Sequence, residues 1–190
     1  MIIGITGGTG CGKTTLLKEI EERGGLVLDC DAIYHELLTR DDALLNAIEA
    51  RFPGVVVDQK LARKKLGAIV FADRQALLDL NAITHGAIKA EIVRRLAEKP
   101  RLAAIDAIAL FEGGLAELCD TTVAVCAPVE TRVERLMQRD GISREYAESR
   151  INAQKPESWF REMCAYTLYN DGTAEQFHEE CGAFLDKILK

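Results

Sequence analysis

The sequence predicts an α/β fold in which a five-stranded parallel sheet carries helices on both faces. Three observations lead there. Short apolar runs (residues 2–5, 26–28, 102–108, 121–126 and 166–169) alternate with segments whose apolar residues recur at helical spacing. The first run enters a glycine-rich turn, and a helical pattern leaves it. Residues 32–99 are helical almost throughout, as expected of a subdomain inserted between strands. At 190 residues the chain can bury a substantial interior, and 48% hydrophobic against 28% charged residues sets disorder aside.

Ile2, Ile3 and Ile5 make the first strand. Residues 13–23 carry Leu16, Leu17 and Ile20 at helical spacing until Gly24 and Gly25 stop them. Leu26, Val27 and Leu28 form a second strand ending in Asp29-Cys30-Asp31, so two carboxylates stand where open α/β sheets place their ligands. Residues 32–52 are helical in pattern, interrupted at Asp41-Asp42, which is suited to cap a second helix. Pro53-Gly54 ends that helix, and residues 55–57 read as a brief extended piece. Residues 61–70 and 74–96 read as further helices, the first with Arg63, Lys64 and Lys65 on its polar side, and Lys99-Pro100 closes the region.

Residues 102–108 form a central strand around one charge, Asp106, and the segment from Leu110 through Phe111 and Glu112 to Gly114 leaves the sheet as a loop. Residues 121–126 are the next strand, closed by Pro128. Residues 129–139 form an amphipathic helix with Val129, Val133 and Leu136 on one face and Arg132, Arg135 and Arg139 on another. Arg132 and Arg135 are expected to be solvated. After Asp140-Gly141, Ser143 caps a helix that runs through residue 153. A last strand, the turn Asn170-Asp171-Gly172 and a final helix complete the chain.

The chemistry starts in the glycine-rich turn. Gly7, Gly12, Lys13 and Thr14 satisfy G-x-x-x-x-G-K-[ST] between a strand and a helix, the context that a phosphate-binding loop requires. Gly8, Thr9, Gly10, Cys11, Gly12, Lys13, Thr14 and Thr15 are the expected nucleotide contacts, through backbone N–H groups and the helix N-terminus. Lys13 is expected to reach the β- and γ-phosphates, and the Thr14 hydroxyl to bind Mg2+. Phosphoryl transfer further needs a base, a carboxylate near the metal, and mobile arginines. Asp31 fits the base, with helix capping as its alternative role. Asp29 or Asp106 fits the metal's water shell, and Arg139 and Arg150 fit the arginines. His85 reads equally as a surface histidine and as a substrate contact. Cys11 and Cys30 read as small residues at a tight loop.

A net charge of −6 argues against extended nucleic-acid binding. The six cysteines form no C-x-x-C pair, Met1 leads straight into the first strand, and no apolar run approaches membrane-spanning length. The expectation is a cytoplasmic protein with reduced thiols that acts on a small molecule, without nucleic acid, membrane or an obligate protein partner.

Over nearly its whole length the sequence resembles the dephospho-coenzyme A kinase family. Residues 6–15 are similar to its opening loop, and Asp29-Cys30-Asp31 to its D-A-D element. Arg63 to Phe71, with Ala72-Asp73, resembles its R-x-x-L…V-F-x-[DN] helix, and Leu80-Asn81 with His85 its L-N…H-P element. Asp106 to Glu112 stands at D-x-P-L-L-F-E, while Gln138-Arg139-Asp140-Gly141, Ala147, Arg150-Ile151 and Gln154 resemble its lid. Gly86, Ile108 and Tyr166 depart from the family's proline, proline and aspartate.

The resemblance implies a P-loop NTPase-like three-layer fold. It implies a single kinase domain over residues 1–190, with a helical substrate-binding subdomain at about 32–99 and a lid at about 129–160. It implies ATP and Mg2+ as cofactors and phosphorylation of the ribose 3′-hydroxyl of dephospho-coenzyme A. Catalysis then falls to Lys13, Asp31 and Arg139, Arg139 also touching nucleotide, and substrate binding to Asp31, Arg63, His85, Asp106, Glu112 and Arg150. A nucleoside or nucleotide kinase of the same architecture is the alternative. A GTPase-type switch is disfavoured, since neither N-K-x-D nor D-x-x-G occurs.

Overall fold

The first strand, β1 (Ile2–Thr6), is buried at Ile3, Gly4, Ile5 and Thr6 alike, the mark of a strand covered on both faces. The structure, a computed structural model, describes residues 1–40 and 42–190. The expected capping role of Asp41 lies outside the described residues. After β1 come α1 (Lys13–Glu22), β2 (Leu26–Asp29), α2 (Cys30–Arg40), α3 (Asp42–Arg51), β3 (Val56–Val57), β4 (Lys60–Leu61), α4 (Arg63–Ala72) and α5 (Arg74–Leu96). Then follow β5 (Ala103–Asp106), β6 (Thr121–Cys126), α6 (Val129–Asp140), α7 (Arg144–Asn152), α8 (Glu157–Met163), β7 (Tyr166–Tyr169) and α9 (Ala174–Ile188). They divide into two units, Met1–Leu28 with Pro100–Lys190 and Asp29–Lys99.

The first unit carries the five-stranded parallel sheet, in the order β2-β5-β1-β6-β7. Its register sets Ile5 beside Asp106 and Thr6 beside Ala124, so the loop after β1 and the end of β5 emerge together. Leu16 and Ile20 of α1 and Phe177, Phe184 and Leu185 of α9 pack with Ile3, Ile5, Val123 and Val125 in one core cluster. Phe160 of α8 packs with Ala124 and Cys126 in another. Helix ends follow their sequences. The Ser143 hydroxyl accepts from the Tyr146 N–H, Thr173 and Gln176 form a reciprocal capping box, and Gly141 closes α6 at φ 64°. Helix α8 was not expected.

The second unit packs α2 to α5 and a small hairpin around Leu44, Ile48, Phe52, Leu66 and Val70. The hairpin corrects the expectation of a helix from residue 61. Leu61 pairs with Val56, and the Ala62 N–H donates to the Val55 carbonyl at 2.7 Å, so α4 begins at Arg63. Its turn residues Asp58 and Gln59 have φ 49° and 58°, the left-handed pair of a two-residue hairpin turn. The Glu49 carboxylate steadies the approach by accepting from the N–H groups of Gly54 and Val56, which hold it below the usual carboxylate range. Among the described residues no helix is long and apolar enough to cross a membrane.

Candidate active site

The glycine-rich turn leaves β1 and delivers Lys13 as the first residue of α1. Gly12, at φ 97°, sits in the left-handed region, and a Cβ there would lie 2.1 Å from Asn170 Nδ2. Glycine is therefore required both by the backbone and by the neighbour. The Gly12 position has no side-chain cap, which leaves the helix's partial positive charge to an anion. Lys13 Nζ donates to the Gly7 carbonyl at 3.2 Å and stands 3.8 Å from Asp106 Oδ1, at the end of β5. Thr14, the next residue, is exposed in the first turn of the same helix. The sheet thus brings together Lys13, Thr14 and Asp106 from stretches about 90 residues apart.

Behind the loop lies a feature that corrects the sequence reading. Arg132 and Arg135, expected to be solvated, reach the loop's outward carbonyls instead. Arg132 is 7% exposed and its Nε donates to the Thr9 carbonyl at 2.8 Å. Arg135 Nη1 donates to the carbonyls of Gly10 and Cys11 at 3.3 and 3.4 Å, and its Nη2 to Asn170 Oδ1 at 3.0 Å. Asn170, buried, donates from Nδ2 to the Cys11 carbonyl at 3.0 Å. A loop whose N–H groups turn inward must aim carbonyls outward, and these need donors. That need is general to such loops, and nothing local in the sequence says that these two arginines meet it.

The Cys11 thiol in this loop is buried, and burial pushes its pKa up despite the nearby Lys13 ammonium. It is a packing residue in the protonated form. Burial likewise raises the thiols of Cys119, Cys126 and Cys181 to about 12 and that of Cys164 to about 11.

The two arginines expected in the lid meet on one carboxylate. Arg139 Nε and Nη2 donate to Asp140 at 2.7 and 3.0 Å, and Arg150 Nη1 donates to the same group at 2.6 Å. These bonds, Arg139's first, hold the Asp140 carboxyl down at about 2. Beneath them Val133, Leu136, Ala147 and Ile151 form a small core of their own. Glu112 lies exposed in the segment after β5, next to Phe111, whose ring meets Trp159 edge-on at 5.8 Å.

In the second unit, Asp29 Oδ1 accepts from the N–H groups of Asp31 and Ala32 at 2.8 and 3.1 Å. Asp29 is therefore the cap of α2, a role the sequence reading had offered to Asp31, and the Asp31 side chain is exposed in the first turn. Arg63 opens α4, with Nη2 donating to His35 Nδ1 at 3.1 Å, a partner the sequence reading did not name. His85 is half-buried midway along α5.

A family model for dephospho-CoA kinase matches residues 1–176. The dephospho-CoA kinase of Geobacter sulfurreducens is 38% identical over 92% of each chain. The chain belongs to the dephospho-coenzyme A kinase family. A crystal structure from Thermus thermophilus superimposes with a TM-score of 0.82 at 33% identity, covering 99% of this chain and 97% of that one. The dephospho-CoA kinase from Campylobacter jejuni does so with 0.69 at 26% identity, covering 98% and 96%. The fold is accordingly P-loop NTPase-like, and the chain is a kinase that takes ATP and carries out the last step of coenzyme A synthesis.

The three departures from the dephospho-coenzyme A kinase pattern have physical counterparts. Gly86 lies inside the unbroken 23-residue α5, where a proline removes a helical hydrogen bond. Ile108 is 39% exposed, and its carbonyl accepts from the Thr6 hydroxyl at 3.3 Å. Tyr166 lies in β7, packed at 5.4 Å on the ring of Phe184.

Proposed function

We propose that Lys13, Asp31 and Arg139 carry the chemistry of this reaction. Asp31 takes the proton of the ribose 3′-hydroxyl of dephospho-coenzyme A while that oxygen bonds to the γ-phosphorus of ATP. The bond from phosphorus to the β,γ-bridging oxygen breaks, and ADP leaves. The loop amides of residues 8 and 10–15 and the Lys13 ammonium take up charge on the β- and γ-phosphates, whereas the Thr9 N–H, expected among the nucleotide contacts, donates to Gln154 Oε1 instead. Arg139 and Arg150 exchange the Asp140 carboxylate for the transferring group, with Arg139 also touching ATP. Arg63, His85, Asp106 and Glu112 bind the acceptor. On this reading residues 1–190 are one kinase domain, about 32–99 serving the acceptor and about 129–160 the lid.

The donors near Lys13 fit Mg2+. The Thr14 hydroxyl and the Asp106 carboxylate are hard oxygen ligands, and among the described residues no group of three or more His, Cys, Asp or Glu forms a cage. A sparse oxygen set suits an ion that keeps waters and arrives with phosphates. Thr14 would hold it directly and Asp106 or Asp29 through water, and it would neutralise phosphate charge. The net charge of −6 supports an enzyme of small molecules over a nucleic-acid binder, and we place it in the cytoplasm, working without membrane or an obligate protein partner.

The observation that carries the base assignment is the capping of α2 by Asp29, which leaves the Asp31 carboxylate to substrate. Asp31→Asn is expected to lower kcat by about a hundredfold or more while the KM for ATP stays within about threefold. An equal collapse of ATP affinity, read by calorimetry, would remove Asp31 from the role of base.

A further inference from the structure

Both arms of the lid hairpin reach one residue of the phosphate loop, Thr9, and hold the two peptides that flank it. Arg132, on α6 where the hairpin begins, donates through Nε to the Thr9 carbonyl at 2.8 Å. Gln154, two residues past the end of α7, accepts through Oε1 from the Thr9 N–H at 2.8 Å. Arg132 Nη2 closes the ring by donating to the same Gln154 oxygen at 3.5 Å. The guanidinium packs so closely on Gly8 that a Cβ there would lie 2.2 Å from Nη2. Arg132 itself is 7% exposed, so this is a built contact and not a surface encounter.

We propose that Gln154 and Arg132 are positioning residues for the phosphoryl donor. The Gly8–Thr9 peptide is held through the Thr9 N–H and the Thr9–Gly10 peptide through the Thr9 C=O, so neither plane rotates freely, and the loop's inward amides keep the spacing a triphosphate needs. The same grip fixes where the start of α6 and the end of α7 stand relative to those amides. A neutral amide oxygen suits this place, since it accepts from the loop without setting a formal charge beside a polyanion. The cost of loosening the peptide falls on ATP, because the acceptor hydroxyl is not bound by it. Small displacements of a positioning group cost up to about a hundredfold in rate, and a single lost hydrogen bond less.

This rests on reading residues 7–15 as the triphosphate site, so the test separates the two. Gln154→Met keeps the side chain's length and removes the acceptor. It is expected to raise the KM for ATP about tenfold, to leave the KM for dephospho-coenzyme A within about twofold, and to speed hydrogen exchange at the Thr9 amide. Gln154→Glu restores an acceptor opposite Arg132 and is expected to protect the Thr9 amide again, while its charge beside the triphosphate keeps the KM for ATP raised. The clamp is overturned if Gln154→Met leaves the KM for ATP unchanged, if both KM values rise together, or if Gln154→Glu protects the Thr9 amide no better than Gln154→Met. Lys13→Ala is the control: if it leaves ATP affinity intact, the triphosphate reading fails, whereas normal weakening by Lys13→Ala with no effect of Gln154→Met overturns the clamp alone.

Discussion

Lys13 and Arg139, the two cations that we assign to the reaction, stand in surroundings that differ at every level. The Lys13 side chain is 14% exposed, anchored between the Gly7 carbonyl and Asp106, in a loop whose outer carbonyls are held by Arg132 and Arg135. The Arg139 side chain is 60% exposed and is held by Asp140, its neighbour in sequence. Burial gives the loop a fixed geometry, suited to receiving phosphates without reorganising. Exposure leaves the lid arginine bound to a partner it can exchange for another anion, because a surface ion pair is worth little net free energy. One region supplies precision and the other supplies movement.

Substitutions at the two positions test that contrast. Lys13→Ala is expected to lower phosphoryl transfer by about a thousandfold or more and to weaken ATP binding, with a cooperative thermal melt retained, because the side chain's charge serves the phosphates and the fold keeps its apolar core. Calorimetric titration with ATP and Mg2+ beside a thermal melt checks both halves, and undiminished ATP affinity would put the phosphates elsewhere. Arg139→Ala is expected to lower kcat by about a hundredfold while ATP affinity changes only a fewfold, since the residue meets the transferring group after binding. If its ATP affinity falls as steeply as that of Lys13→Ala, the lid arginine belongs to the fixed part of the site.

The same contrast decides what the sequence disclosed. The loop was legible because G-x-x-x-x-G-K-T is local, and its conformation follows from its own residues. Strands such as Thr121–Cys126 and Tyr166–Tyr169 were legible for a similar reason, being apolar runs bounded by turn residues. Arg132 was misread because its burial depends on a partner 123 residues away, and an arginine on a helix face carries no local sign of it. The hairpin at Val56–Leu61 was missed because each strand has two residues and the turn is Asp58-Gln59, without the glycine that usually marks positive φ. The cap of α2 falls to Asp29, read in the sequence only for the metal's water shell, and not to Asp31, for which capping was the alternative to the base; that choice turns on where the first helical residue falls, a boundary that sequence places least well.

The smallest expected effect concerns Asp140, and it separates the hold of charge on the lid tip from that of the apolar core beneath it. Its carboxyl is lowered to about 2 by Arg139 and then Arg150, against about 4 in an unfolded chain. A depressed carboxylate contributes its stabilisation in full above the unfolded value and loses it as pH falls through the folded one. The hold on the two arginines is therefore complete at neutral pH and fades between about 4 and about 2. Asp140→Asn removes the titrating group, so the lid tip is expected to exchange amide hydrogens faster at neutral pH, with kcat altered only a fewfold because Arg139 and Arg150 remain. Its opening is also expected to be insensitive to acid across that window. Hydrogen exchange over residues 139–152 at several pH values reads both, with the loop at residues 7–15 as the internal reference. Equal acid sensitivity of parent and variant lids would show that the tip is held by the Val133, Leu136, Ala147 and Ile151 core beneath it, and that the arginines are less mobile than their exposure suggests.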